Sequence, residues 1–160
     1  MANQFGDLDL AGQITILGAG REATFLDGNG INRVLDVQPG ATVTLADLTM
    51  QGGQAEYGKP SGGVRNRGEL TLANISIARN RAGDGQPASP PIVPAQDGGN
   101  GGGIFNSGEL TLLNCLVANH AAGHGSDLPA FGDYFASNAG AGGSGGGVYY
   151  MSRMDDEQRT

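Results

Sequence analysis

The stretch that decides the fold is Gly62-Gly-Val-Arg-Asn-Arg-Gly-Glu-Leu-Thr-Leu-Ala-Asn-Ile-Ser-Ile77, which returns 40 residues later as Gly102-Gly-Ile-Phe-Asn-Ser-Gly-Glu-Leu-Thr-Leu-Leu-Asn-Cys-Leu-Val117. Most positions of the two copies are identical or conservatively replaced. A further copy starts at Gly146-Gly-Val148 and is not completed, and a looser one runs from Val34 to Met50. Such repetition is the signature of architectures in which no single copy buries its apolar face alone.

Each copy holds three short apolar runs that alternate with polar residues, such as Leu70-Thr-Leu72 and Ile75-Ser-Ile77. This alternation is typical of strands. Glycine interrupts every window long enough for an amphipathic helix. Because three strands per copy fit one turn of a stacked solenoid, the sequence predicts an all-β, parallel β-helix. We expect about four full three-strand rungs and a partial fifth.

This interpretation assigns residues 1–150 to one β-helix domain and residues 151–160 to a polar, acidic tail. The insertions 51–61, 83–100 and 123–145 each follow the third strand of a rung, so we expect all three at one corner. The alternation also predicts which side chains of the second and third strands point inward. They are Ile14, Ile16, Val43, Leu45, Leu70, Leu72, Leu110, Leu112, Leu48, Met50, Ile75, Ile77, Cys115 and Val117.

Composition excludes several classes of partner. The 160 residues carry a net charge of −7 and only nine scattered Lys and Arg, so no nucleic-acid partner is expected. No apolar stretch approaches the roughly 20 residues of a membrane helix, so we expect no membrane insertion. The single cysteine excludes an internal disulfide. No cofactor or metal motif is complete, since the twelfth position after Asp27 is Gln38 where a calcium loop needs Glu.

The Gly-Gly-hydrophobic, Asn-x-Gly, Leu-Thr-Leu and x-Asn-hydrophobic string resembles the right-handed parallel β-helices of the pectin-lyase-like superfamily. It is most similar to the repeats of bacterial secreted and surface proteins related to polymorphic outer-membrane proteins. The opening from Asp7 to Gly20, followed by Leu26-Asp-Gly-Asn-Gly30, resembles the first rungs of such proteins. The resemblance covers residues 7 to 150 and implies an extracellular or cell-surface location, but no single activity, because the superfamily holds lyases, hydrolases, adhesins and inert stalks.

Two sets of polar residues recur at equivalent corners. The first set is Asp47, Asn74 and Asn114, and the second is Asn66 and Asn106. An amide side chain donates and accepts hydrogen bonds at once, so stacked asparagines join successive rungs. We interpret both sets as structural ladders.

On the first face, the register predicts one row of outward-pointing side chains that stack from rung to rung, which we call the outward file. It consists of Asp36, Arg65, Phe105 and Tyr149. Exposed aromatic rings beside charged groups hold sugar rings by stacking and hydrogen bonding, so this file is a candidate ligand surface. We favour the alternative, a mixed surface with cross-rung pairing of Asp36 and Arg65. Tyr134 in the third insertion is a further candidate contact.

The third insertion also contains the candidates for catalysis, which are His124, Asp127 and Asp133. General acid and base work needs two positioned carboxylates or a histidine, and these residues lie on glycine-rich sequence. We therefore expect no catalytic residues. The predicted function is that of a non-enzymatic structural or adhesive solenoid module, and the alternative is a polysaccharide-binding or polysaccharide-cleaving domain.

The two ends of the predicted solenoid expose strand edges that favour association with other chains. Parallel rungs leave unpaired strand edges, and such edges pair with other chains unless they are capped. The chain has no amphipathic segment that predicts a capping helix. We therefore expect end-to-end self-association into dimers or filaments, with a glycan or host surface as a further possible partner and a capped monomer as the alternative.

Overall fold

The computed structural model describes residues 6–87, 95–126 and 140–151, and in these ranges it contains thirteen short strands and no helix. The first rung consists of β1 (Leu8–Leu10), β2 (Gln13–Leu17) and β3 (Phe25–Asp27). The second consists of β4 (Leu35–Val37), β5 (Thr42–Ala46) and β6 (Thr49–Gln51). The third consists of β7 (Val64–Asn66), β8 (Glu69–Ala73) and β9 (Ser76–Ala78). The fourth consists of β10 (Ile104–Asn106), β11 (Glu109–Leu113) and β12 (Leu116–Ala118), and β13 (Val148–Tyr150) begins a fifth.

Corresponding strands of successive rungs form three sheets, and every strand pair is parallel. The first sheet has the order β1-β4-β7-β10-β13, the second β2-β5-β8-β11 and the third β3-β6-β9-β12. The predicted parallel β-helix of four rungs and a partial fifth is therefore confirmed. Its residue register follows the repeats, so that Leu45 pairs with Leu72 and Leu72 with Leu112.

The core runs along the solenoid axis between the three sheets. The predicted inward side chains of the middle rungs are buried, including Leu45, Leu72 and Ile77, each with no exposed surface. At the ends the same positions are only partly covered, because the described residues place no further second-sheet or third-sheet strand beyond them. Leu112 keeps 37% of its surface exposed, and Ile16 and Val117 are half-buried.

The segments that lead from the third sheet to the first pack on one another through their backbones, and we call this region the glycine corner (described residues within 52–63, 79–87, 95–103, 119–126 and 140–147). A chain of hydrogen bonds crosses it: Gly83 donates to Lys59, Gly99 to Gly83, Gly123 to Gly99 and Gly143 to Gly123, at 2.8–3.0 Å. The segments are so close that a Cβ on Gly99 would lie 2.0 Å from the Lys59 carbonyl oxygen. The described parts of the insertions therefore form an ordered layer.

Candidate functional site

The outward file of the first sheet is continuous from the first rung to the fifth. Asp36 pairs in register with Arg65, Arg65 with Phe105 and Phe105 with Tyr149. Asp9 extends the file by one rung, because it pairs with Asp36. The file thus divides into a charged half at the N-terminal end and an aromatic half at the C-terminal end.

Arginines cover the charged half. Arg65 donates to both oxygens of Asp36, with Nε 3.0 Å from Oδ1, and Nη2 of Arg67 lies 3.0 Å from Oδ2. The favoured cross-rung pairing of Asp36 with Arg65 is therefore confirmed, and these side chains leave Asp36 only 1% exposed. Burial acts to raise the pKa of Asp36, but the hydrogen bond and charge of Arg65, with the charges of Arg33 and Arg67, outweigh it and lower the pKa. Asp36 is held as a paired carboxylate out of reach of a substrate.

Three carboxylates converge at this place, since oxygens of Asp7, Asp9 and Asp36 lie within 4.8 Å of one another. Their contacts go to the protein itself. Nε of Arg33 is 2.7 Å from Asp7, and the Gln38 amide donates to Asp9 at 2.9 Å and to Asp36 at 3.2 Å. The cluster is a hydrogen-bonded network that closes the charged half of the face.

The aromatic half is a stacked pair. The rings of Phe105 and Tyr149 lie 5.4 Å apart between centroids with 14° between their planes. The expectation of an exposed Phe105 is wrong, because only 8% of its surface is accessible. Parallel stacking of this kind stabilises two rings against each other, and it leaves Phe105 little area for a sugar ring.

Of the three catalytic candidates, the structure describes His124 alone. His124 is exposed, and its backbone N–H donates to the Asp84 carboxylate at 2.8 Å. Asp127, Asp133 and Tyr134 lie outside the described residues.

The first predicted ladder stands at the corner between the second and third sheets. Asn74 donates to Asp47 at 2.5 Å, and Asn114 donates to Asn74 at 3.2 Å. All three have positive φ, from 50° to 56°. Asn and Asp enter this left-handed region more readily than most residues, so the same residue types make the sharp corner and join the rungs.

The second predicted pair is buried between the first and second sheets. Asn66 donates to the Asn106 side chain at 2.6 Å and to the Glu109 carbonyl at 2.7 Å. Asn106 donates to the Gly108 carbonyl at 2.9 Å. Both amides are committed to contacts within the solenoid, where buried polar groups need partners.

A third polar stack, at the glycine corner, was not predicted. The Asn80 side chain accepts from the Gly53 N–H at 2.7 Å, and one rung later Nδ1 of His120 accepts from the Asn80 N–H at 3.2 Å. Nε2 of His120 lies 3.0 Å from the Ile77 carbonyl. Burial lowers the pKa of His120, and the two hydrogen bonds oppose this only in part. The sequence signal for this stack is the glycine that lies against each polar side chain. At Gly103, for example, a Cβ would lie 2.7 Å from the His120 ring and would not fit.

The two ends of the solenoid differ from its sides in exposing large apolar side chains. Among the described residues, only Tyr57 of this class lies elsewhere. The others are Leu8, Leu17, Phe25 and Ile31 at the first rung, and Leu112, Leu113, Leu116, Tyr150 and Met151 at the last. Each end also has an open groove, of about 420 Å³ beside Leu8 and Leu26 and of about 470 Å³ beside Leu110 and Met151.

Compared with protein families, with curated proteins and with solved structures, the chain gives no match. Among the residues that the structure describes, no helix has the length and apolar character that crossing a membrane requires.

Proposed function

We propose that this chain is a non-enzymatic structural or adhesive solenoid module that associates with further copies through its ends. One observation carries the proposal: the exposed large apolar side chains of the described residues are concentrated at the two end rungs. Burying such side chains contributes about 1.5–3 kcal/mol each. In the same end rungs, the outer edges of β2, β3, β11 and β12 pair with no other described strand, and such edges are templates for further strand pairing.

The sides of the solenoid support the non-enzymatic part of the proposal. The best-placed carboxylate, Asp36, is buried and paired with two arginines. His120 uses both ring nitrogens in contacts with the backbone of the third rung. Neither group is available as the general acid or base that polysaccharide cleavage requires.

The proposed setting is the outside of a bacterial cell. It rests on the resemblance of the repeats at 62–77 and 102–117 to those of surface and secreted proteins. A rigid stack of rungs suits that setting, because it extends by repetition without a new core for each unit.

Sedimentation velocity of the full chain over a wide range of concentration tests the association. We expect the mass to grow with concentration, and we expect Leu113→Gln with Leu116→Gln to keep the protein monomeric. Tyr57→Gln is the matched control, since Tyr57 is exposed away from the ends. A wild-type chain that stays monomeric throughout, or a Tyr57→Gln variant that loses association equally, would contradict the proposal.

A screen against acidic and neutral glycans tests the non-enzymatic part. Turnover of any of them, lost on replacing Asp127 or Asp133, would show that the chain is a polysaccharide-active enzyme instead.

A further inference from the structure

The outward residues beside one corner change in size between the middle and the ends of the solenoid. At the last position of the second sheet, successive rungs carry Leu17, Ala46, Ala73 and Leu113. At the first position of the third sheet they carry Phe25, Thr49, Ser76 and Leu116. Both positions are thus large and apolar in the first and fourth rungs, and small or polar between them. The four large side chains are 50–71% exposed.

From this pattern we infer that the two ends are complementary halves of one head-to-tail interface, formed with a second copy of this chain. In it, β2 of one copy pairs with β11 of another, and β3 pairs with β12, in the register of the rungs. Leu17 then lies beside Leu113 and Phe25 beside Leu116, while Ile14 and Ile16 continue the core over Leu110 and Leu112. This inference rests on the proposed function and adds the polarity and register of the contact.

The shape of the rung allows only one rotation of this stack. Strands of the second sheet have five residues, and those of the first and third have three. A copy rotated by one sheet would place a three-residue strand on β11 and a five-residue strand on β12, so that the corners no longer align. In the in-register stack, five-residue strands pair with five-residue strands and three-residue strands with three-residue strands, as in the middle rungs.

The edge of the first rung is left clear by the loop at residues 18–24. Gly20 donates to the Asp47 carbonyl at 2.9 Å, and the Thr49 hydroxyl donates to the Arg21 carbonyl at 2.8 Å. Arg21 itself reaches along the corner and donates to the Asn114 carbonyl. The loop therefore leans over its own later rungs and away from the edge that a second copy would meet.

On the first sheet, β13 already occupies the place that β1 of the second copy would take. Leu8 and Val148 hold the same inward position of the register, through Leu35, Val64 and Ile104. The two strands thus compete for the edge of β10. We assign β13 the role of a replaceable cap: it has three residues, and Tyr150 at its end is 60% exposed.

Disulfide trapping tests the register. In a Cys115→Ser background, the full chain with Leu17→Cys and Leu113→Cys should form a ladder of covalent oligomers under mild oxidation. Within one chain the two positions lie three strand spacings apart, about 14 Å, so they cannot bridge internally. The matched control is Gln13→Cys with Leu113→Cys, which places the partner thiols at opposite strand ends, about 13 Å apart, and should lose the ladder.

A second disulfide tests the cap. Phe105→Cys with Tyr149→Cys, in the same background, should lock β13 to β10 when oxidised and abolish association, and the reduced form of the same protein is its control. Equal association of locked and reduced forms would overturn the cap. Association of the wild-type chain without the Leu17–Leu113 ladder would overturn the inferred register and leave the proposed function standing, whereas a chain that never associates would overturn both.

Discussion

The second and third rungs differ from the first and fourth in burial, although all four draw on similar residues. Leu45 and Leu72 in the middle have no exposed surface, while Leu112, at the same position of the fourth rung, keeps 37%. A rung of a solenoid is stabilised chiefly by its two neighbours. The end rungs therefore contain apolar side chains that are suited to burial and that the described part of the chain leaves uncovered.

The largest expected difference in stability is between alanine variants of two core leucines at equivalent positions. Leu72→Ala removes a fully buried side chain and should lower the free energy of unfolding by about 2–5 kcal/mol. Leu112→Ala, one rung later at the equivalent position, should cost only about 1–2 kcal/mol, because less apolar area leaves water on folding. Denaturant unfolding at a concentration that keeps the protein monomeric measures both. Equal losses would show that the fourth rung is as well covered as the third.

The glycine corner offers the same contrast in its backbone packing. A Cβ on Gly123 would lie 1.9 Å from the Gly83 carbonyl oxygen, so Gly123→Ala must push segments apart and should cost about 1–3 kcal/mol. On Gly142 the nearest atom would be 3.9 Å away, and Gly142→Ala should stay within about 0.5 kcal/mol of the parent. Thermal unfolding compares the two. A neutral Gly123→Ala would mean that the corner is loosely packed.

Within the Asp47–Asn74–Asn114 ladder, the middle-rung residue and the end-rung residue differ in their number of hydrogen bonds. Asn74 has a partner on each side, and Asn114 has one within the ladder. Glycine at either position keeps the positive φ, so Asn74→Gly should cost about 1 kcal/mol and Asn114→Gly only a few tenths. Chemical denaturation resolves the order, and the reverse order would contradict the ladder.

The smallest effect should appear in the dependence of stability on pH. Because the folded-state pKa of His120 is lowered, the unfolded chain binds the proton first as the pH falls. The stability contributed by neutral His120 is therefore full above about pH 6.5 and is lost as the pH falls toward the folded-state pKa. Asn80 fills this position in the third rung, so His120→Asn should remove this part of the slope. Unfolding midpoints of parent and variant between about pH 8 and pH 5 measure it, and identical slopes would refute the assignment.

The sequence predicted the rungs and their inward faces because alternation in a strand alone decides which side chains point inward. It predicted the pairing of Asp36 with Arg65 but not that Arg67 also covers Asp36, since that depends on how the two arginine side chains fold back. Phe105 was misjudged for a similar reason, because the ring of Tyr149 reaches it only after the third insertion returns. The glycine corner was missed as an ordered layer, since contacts between backbones leave no pattern of side chains.

Cys115 gives the most direct test of the claim that the end rungs are docking surfaces. It is the only cysteine, it lies half-buried in the fourth rung, and a second copy stacked on that rung would cover it. The rate at which a maleimide alkylates Cys115 should fall as the concentration of the wild-type chain rises, and should stay constant for Leu113→Gln with Leu116→Gln. A wild-type rate that is the same at every concentration would contradict the account.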